Sequence, residues 1–129
     1  MTPDELADRL DKAADDLEPA IRRRVAHATE LGKGMIRANA TGRPGPNVIT
    51  GKYRSSWRTV GRGIPYGAVC TVGTDAPQGR RLEFGFYNMT DSLGRHFYQP
   101  PFPHVAPAIP RMQNLLKDGM LDAAAEVFA

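Results

Sequence analysis

A single cysteine, Cys70, in 129 residues excludes an internal disulfide, so nothing here calls for an oxidising compartment and a reducing cytoplasm is expected. No run approaches the roughly 20 apolar residues of a membrane-spanning helix. The opening MTPDELADRLDKAADDLEP is acidic and lacks the apolar centre of a secretory signal, so neither export nor membrane insertion is expected. Without export, the tripeptides Asn39-Ala40-Thr41 and Asn88-Met89-Thr90 are coincidental matches to a glycosylation signal. The three histidines, His27, His96 and His104, lie on separate segments without the His-x-x-x-His or Cys-x-x-Cys spacing of a metal site. A P-loop, a Gly-x-Ser-x-Gly elbow and a dinucleotide fingerprint are all missing. The glycines of GRGIPYG, residues 61–67, lack the strand-turn-helix order that cradles phosphate and read as a hairpin loop. No catalytic, cofactor-binding or metal-binding residue is assigned, and no cofactor is expected.

What is present suits one domain. Hydrophobic residues make up 41% and charged residues 24%, enough for a single core. The net charge of +3 conceals a segregation: residues 1–20 carry seven acids and two bases, residues 21–62 ten bases and one acid. Such a basic block can face phosphate, an acidic partner or solvent. It lacks the interleaved aromatics or zinc-finger spacing of a specific nucleic-acid reader.

Thr2, Pro3 and Glu5 form a capping-box start, and Leu6, Leu10, Ala13, Leu17, Ile21, Val25, Ala28, Leu31 and Met35 recur at steps of three and four. This predicts a helix over 3–40 with a kink or break near Pro19, where a hydrogen bond is lost. At about 57 Å it is too long for so small a domain to cover, so part must project or find a partner. A flexible loop follows at 41–48. TGKYRSSWRTV alternates as a half-buried strand would, and Ala68–Gly73 reads as its partner in a hairpin with a long loop, Cys70 being a small buried thiol within it. Asp75 is placed to cap a short helix with Pro77 in its first turn and Gly85 as its stop. Arg80 and Arg81 should face out, with Leu82, Phe84 and Phe86 docking on the sheet. A short strand is expected at Arg95–Tyr98, then an extended proline stretch in which Phe102 plugs into the core. A second long helix runs from 105 to 128, its apolar face made of Val105, Ile109, Met112, Leu115, Leu116, Met120, Leu121, Ala124 and Val127. Pro107 and Pro110 sit near its beginning. The fold class is α+β: a small antiparallel sheet packed by a long N-terminal and a long C-terminal helix.

Glu83, in the stretch VGTDAPQGRRLEFGFYN, is the carboxylate that invites a catalytic reading. Catalysis needs a second titratable group and a cleft, whereas the sequence offers only Arg80 and Arg81 beside it. An ion pair or a hydrogen-bonded turn anchor accounts for it.

Four pieces in order, a long N-terminal helix, TGKYRSSW, VGTDAPQGRRLEFG and PPFPHVAPAI leading into a C-terminal helix, resemble the neck and tail-completion family of long-tailed bacteriophages, the minor tail protein Z-like group. The family pattern Thr-Gly-x-Leu-Arg-x-Ser is echoed by Thr50, Gly51, Arg54 and Ser56, with Tyr53 in the leucine's place. Its Gly-Thr, Glu-Phe-Gly and Pro-Phe-Leu-x-Pro-Ala words meet Gly73, Thr74, Pro77, Glu83, Phe84, Gly85, Pro101, Phe102, Pro107 and Ala108. Two departures stand out: Gln78-Gly79 where the family has Tyr-Ala, and a longer insertion, FYNMTDSLGRHFYQ.

The resemblance implies a non-enzymatic virion protein, made in the host cytoplasm, that forms a ring of six copies at the head-to-tail junction. Its partners would be itself, the head-completion or connector proteins, and the tail terminator or tail tube protein. DNA would pass through the ring without specific binding, despite a pI near 9.3, and no membrane is involved. Charge segregation suggests which surfaces meet: Asp8, Asp11 and Asp15 of one subunit against Arg22, Arg23, Arg24, Arg54 or Arg58 of the next. A tail terminator of the same junction, a basic nucleic-acid-binding protein using Arg22–Arg62, and a small hydrolase built on Glu83 and a histidine are the competing readings.

Overall fold

The Thr2 hydroxyl accepts the Glu5 amide at 3.1 Å while the Glu5 carboxylate accepts the Thr2 amide at 2.8 Å, satisfying two donors that a helix start leaves open. From this box helix α1 runs over Pro3–Asn39. The computed structural model describes residues 1–128, with only the backbone of Asn88. Of the kink or break expected at Pro19, the break does not occur: the helix runs on through the proline. Packing against other elements on both sides of the proline, at Ala13, Ala20 and Ala28, holds the helix together across the one missing hydrogen bond.

Helix α4, Ile109–Phe128, preceded by a 3₁₀ turn at Ala106–Ala108, packs along α1 in the opposite direction, as the contacts of Met112 with Gly32 and of Gly119 with Arg24 show. The seam between them uses small side chains. Ala13, Ala20, Ala28, Thr29, Gly32 and Ile36 are the buried residues of α1, and Ala123 is that of α4. The large apolar residues expected to be buried divide: Leu17, Ile21, Val25 and Met35 are half-buried, while Leu6, Leu10 and Leu31 stay exposed. On α4, Met112, Leu115 and Met120 turn inward, and Ile109, Leu116 and Leu121 face solvent.

The strands form two separate antiparallel hairpins rather than one sheet. Strands β1, Arg58–Ile64, and β2, Gly67–Gly73, pair from Arg58 with Gly73 to Ile64 with Gly67. Of the glycines read as a long loop, Gly61 and Gly63 therefore belong to β1 and Gly67 to β2, and the turn shrinks to Pro65 and Tyr66. Each of two strand glycines meets a close neighbour: a Cβ on Gly63 would lie 2.8 Å from the Arg22 guanidinium, and one on Gly61 3.0 Å from the Cys70 sulfur. Glycine in a strand often marks such an approach. Cys70 is only half-buried. Arg22 binds the carbonyls of Gly67 and Ile64 at 3.0 Å each, and Glu18 accepts the Tyr66 amide at 3.2 Å, so α1 grips the hairpin tip.

The first half of TGKYRSSWRTV is a helical turn, α2, Lys52–Ser55, entered through Gly51 at φ 78°; a strand was expected there. Helix α3, Gly79–Phe84, starts later than expected. Asp75 does not cap it but pairs with Arg58, and Pro77 precedes it, because the Thr74 hydroxyl closes its own turn with the Ala76 amide at 3.1 Å. Gly85 ends α3 as expected, at φ 71°. Phe84 is 70% exposed, so it does not dock on a sheet. The insertion FYNMTDSLGRHFYQ forms the second hairpin, β3 at Phe86–Thr90 and β4 at His96–Gln99, with Tyr87 and Tyr98 rings 5.0 Å apart.

Candidate functional site

The residues carrying the resemblance converge where α3, the proline stretch and the end of α1 meet. Glu83 is at the centre. One carboxylate oxygen accepts the amides of His104 at 2.8 Å and Val105 at 3.0 Å, and the other accepts that of Ala106 at 2.9 Å. These amides open the 3₁₀ turn that leads into α4, so Glu83 satisfies the donors at that entry from 21 to 23 residues upstream. Burial pushes the Glu83 carboxyl up, but the three amides and the neighbouring His104 ring outweigh it and its pKa lies below the ordinary value.

His104 is fully buried. Its Nδ1 lies 2.9 Å from the Phe102 carbonyl and 3.0 Å from the Glu83 carboxylate. Both neighbours are acceptors, so in the neutral ring Nδ1 carries the proton and Nε2, 2.6 Å away, accepts the Tyr53 hydroxyl. Tyr53 and Trp57 meet the imidazole edge to face at 5.6 and 5.7 Å. Asn39, at the end of α1, donates to the His104 carbonyl at 3.1 Å, and Arg37 donates to that of Trp57 at 2.6 Å. Ile36, Trp57 and Ala108 form the apolar floor.

A carboxylate, an imidazole and a phenol in series have the order of a proton relay. Burial, reinforced by the Glu83 charge, pushes the Tyr53 phenol up to about 12, which keeps it a hydroxyl able to donate to the imidazole. The imidazole is closed to solvent and the carboxylate accepts three amides. Chemically, the arrangement clamps three chain segments together.

Compared with protein-family models, curated proteins and solved structures, the chain finds no match. Among the described residues, no group of three or more His, Cys, Asp or Glu side chains is placed to hold a metal ion. Among the described residues, no helix is long and apolar enough to cross a membrane.

The other motif residues hold the joint or the segments that lead to it. Gly85 passes so close to the chain beyond it that a Cβ would lie 2.6 Å from the Gln99 carbonyl oxygen and 2.8 Å from the Pro101 nitrogen. The Phe102 amide donates to Leu82 at 2.7 Å, and its half-buried ring lies under the Arg43 guanidinium at 3.7 Å; His104, not Phe102, fills the core. Thr74 bonds Ser56 at 2.5 Å, Gly51 starts α2 and Gly73 ends β2. Thr50 accepts the Lys52 amide at 3.3 Å, and Pro107 lies within the 3₁₀ turn. A Cβ on Gly79 would lie 3.2 Å from the Thr74 methyl and 3.4 Å from the Tyr53 hydroxyl.

The residues expected at a subunit interface separate into two groups. Arg22 pairs with Glu18 at 2.7 Å, Arg23 and Arg24 with Glu126, Arg24 also with Asp122 at 3.8 Å, and Arg58 with Asp75. All four arginines are engaged within the chain. Asp8, Asp11, Asp15 and Arg54 are exposed and have no ion-pair partner among the described residues. The Tyr53–His104 bond had no sequence signal, since its partners stand 51 positions apart in unrelated local patterns.

Proposed function

We propose that this chain is a structural virion protein of a tailed bacteriophage, one subunit of a ring at the head-to-tail junction, acting in neck formation or tail completion rather than as an enzyme. The observation that carries the reading is the use made of Glu83, central to the resemblance: its carboxylate holds three amides at the entry to α4 and thereby joins the parts that the resemblance names. A virion subunit needs such a joint, because it must present long helices at fixed angles to its neighbours. The basic block gives little support to nucleic-acid recognition, since Arg22, Arg23, Arg24, Lys33, Arg37 and Arg58 of its ten cations bind groups of the same chain.

The test is electron microscopy of particles assembled without this protein. Filled heads and finished tails that fail to join, or tails of abnormal finish, are the expected result. Normal virions, or virions from which the protein is absent, would overturn the proposal.

A further inference from the structure

Between Glu30 and Asp75 the chain has no acidic residue, and a cleft of about 570 Å³ is lined mainly by that stretch. Its inner lining is held in place. Tyr53 donates its hydroxyl to His104, Leu82 accepts the Phe102 amide, and these residues line the cleft together with the buried Ala40. The joint around Glu83 and His104 therefore also sets the shape of this hollow. The outer lining is open: Val48 and Ile49 are 42% and 94% exposed, and among the described residues the backbone of 47–49 bonds to no other part of the chain.

The charged residues of the lining are Arg43, Lys52 and Arg54, with no carboxylate among them. Arg43 is engaged: its guanidinium lies over the Phe102 ring and donates to the Gly45 carbonyl at 3.1 Å. Lys52 and Arg54 are exposed and have no ion-pair partner among the described residues. Glu83, which follows Leu82 in the chain, is turned to the amides at the head of α4. We infer that this cleft receives an acidic, apolar peptide segment of another protein. An apolar side chain of that segment settles against Tyr53, Leu82 and Phe102, its carboxylates face Lys52 and Arg54, and its backbone pairs with that of 47–49.

Other occupants match fewer of these features. Helix α1 of a second copy does not supply the segment: Asp4, Asp8, Asp11 and Asp15 recur at helical spacing on the face opposite Leu6 and Leu10, so these leucines and carboxylates do not form one docking face. A small amphiphile has most of its surface enclosed when bound, whereas the exposed Ile49 leaves this cleft open on one side. A nucleic-acid strand stacks its bases on free aromatic faces, and the Arg43 guanidinium already lies on that of Phe102. A peptide answers the whole lining. It brings side chains for the apolar part, main-chain groups for the open backbone, and carboxylates for a cationic margin, where opposite charge selects the partner. The inference is independent of the virion reading.

The test selects random peptides displayed on yeast for binding to the wild-type chain. Enriched peptides should share an apolar residue flanked by Asp or Glu. A synthetic peptide of that consensus, titrated by fluorescence anisotropy, should lose about tenfold or more in affinity with K52E/R54E, which reverses the margin, and with Ile49→Asp, which puts a charge on the open wall. All three substituted residues are exposed, and each variant is first checked by thermal melting for an unchanged fold. No enrichment, a consensus without acidic residues, or a peptide that binds both variants as it binds wild type overturns the inference. If no acidic peptide is selected while K52E/R54E abolishes the binding of dodecanoate, of oligothymidylate or, in sedimentation velocity, of a second copy, the cleft belongs to that ligand and the inference falls. A peptide that binds as described stands even where virions lack the protein, and a cleft that takes no peptide leaves the ring reading untouched.

Discussion

The two ends of α1 are built on opposite plans. At its C-terminal end, Asn39 and Arg37 reach into a joint where Glu83, His104 and Tyr53 satisfy one another and the surrounding amides. At its N-terminal end three turns carry leucines and carboxylates that touch little of their own chain. The first end is determined by internal bonds, the second by what it leaves open. Substitutions should therefore cost far more stability at one end than at the other.

The largest effect on folding is expected from Gly85→Ala. The left-handed φ and the backbone atoms within 3 Å of the new methyl leave no room to relax, and chemical denaturation should show a loss of about 3 kcal/mol or more. Glu83→Ala strands three amides, costing about 2–4 kcal/mol by the same measurement. Because the folded Glu83 pKa is depressed, its contribution is present above the unfolded carboxyl value of about 4.3 and is lost as pH falls through the lower folded value. Urea midpoints measured from pH 6 down to pH 2 should fall more steeply for wild type than for Glu83→Gln; parallel curves would remove Glu83 from the acid response. Tyr53→Phe leaves His104 Nε2 without its donor and should lower stability by about 1–2 kcal/mol. Leu10→Ser, at a side chain about half exposed, should change stability by no more than about 0.5 kcal/mol. If Leu10→Ser destabilised the monomer as much as Tyr53→Phe, the contrast between the two ends would be lost.

The sequence made the long helices legible because their signals are local: a capping box at Thr2 and Glu5, and apolar residues at helical spacing. The stripe it pointed to is largely the inward one, with Ala13 and Ala28 buried and Leu17, Ile21, Val25 and Met35 half-buried, but it passed over Ala20, Gly32 and Ala123 at the seam, since large side chains dominate a periodicity count. The alternation from Tyr53 to Thr59 imitated a strand, but Gly51 turns the chain into α2 first. Glycines 61 and 63 looked like loop residues because their purpose, room for Cys70 and Arg22, lies on other elements. Glu83 was readable as a turn anchor. Its place at the head of α4, and the imidazole and phenol beside it, depend on contacts across 21 and 51 positions that no local pattern encodes.

The notch at Gly32 has one more consequence. A Cβ there would fall 2.4 Å from the end of the Met112 side chain, so the methionine keys α4 onto α1 at one place. Sliding α4 along by a turn, about 5.4 Å, would set Met112 over Ala28 or Ile36, where no such gap exists. The tooth and its slot thus act as a gauge block: they fix how far the free tip extends past its companion, and so the reach of each molecule is a set dimension.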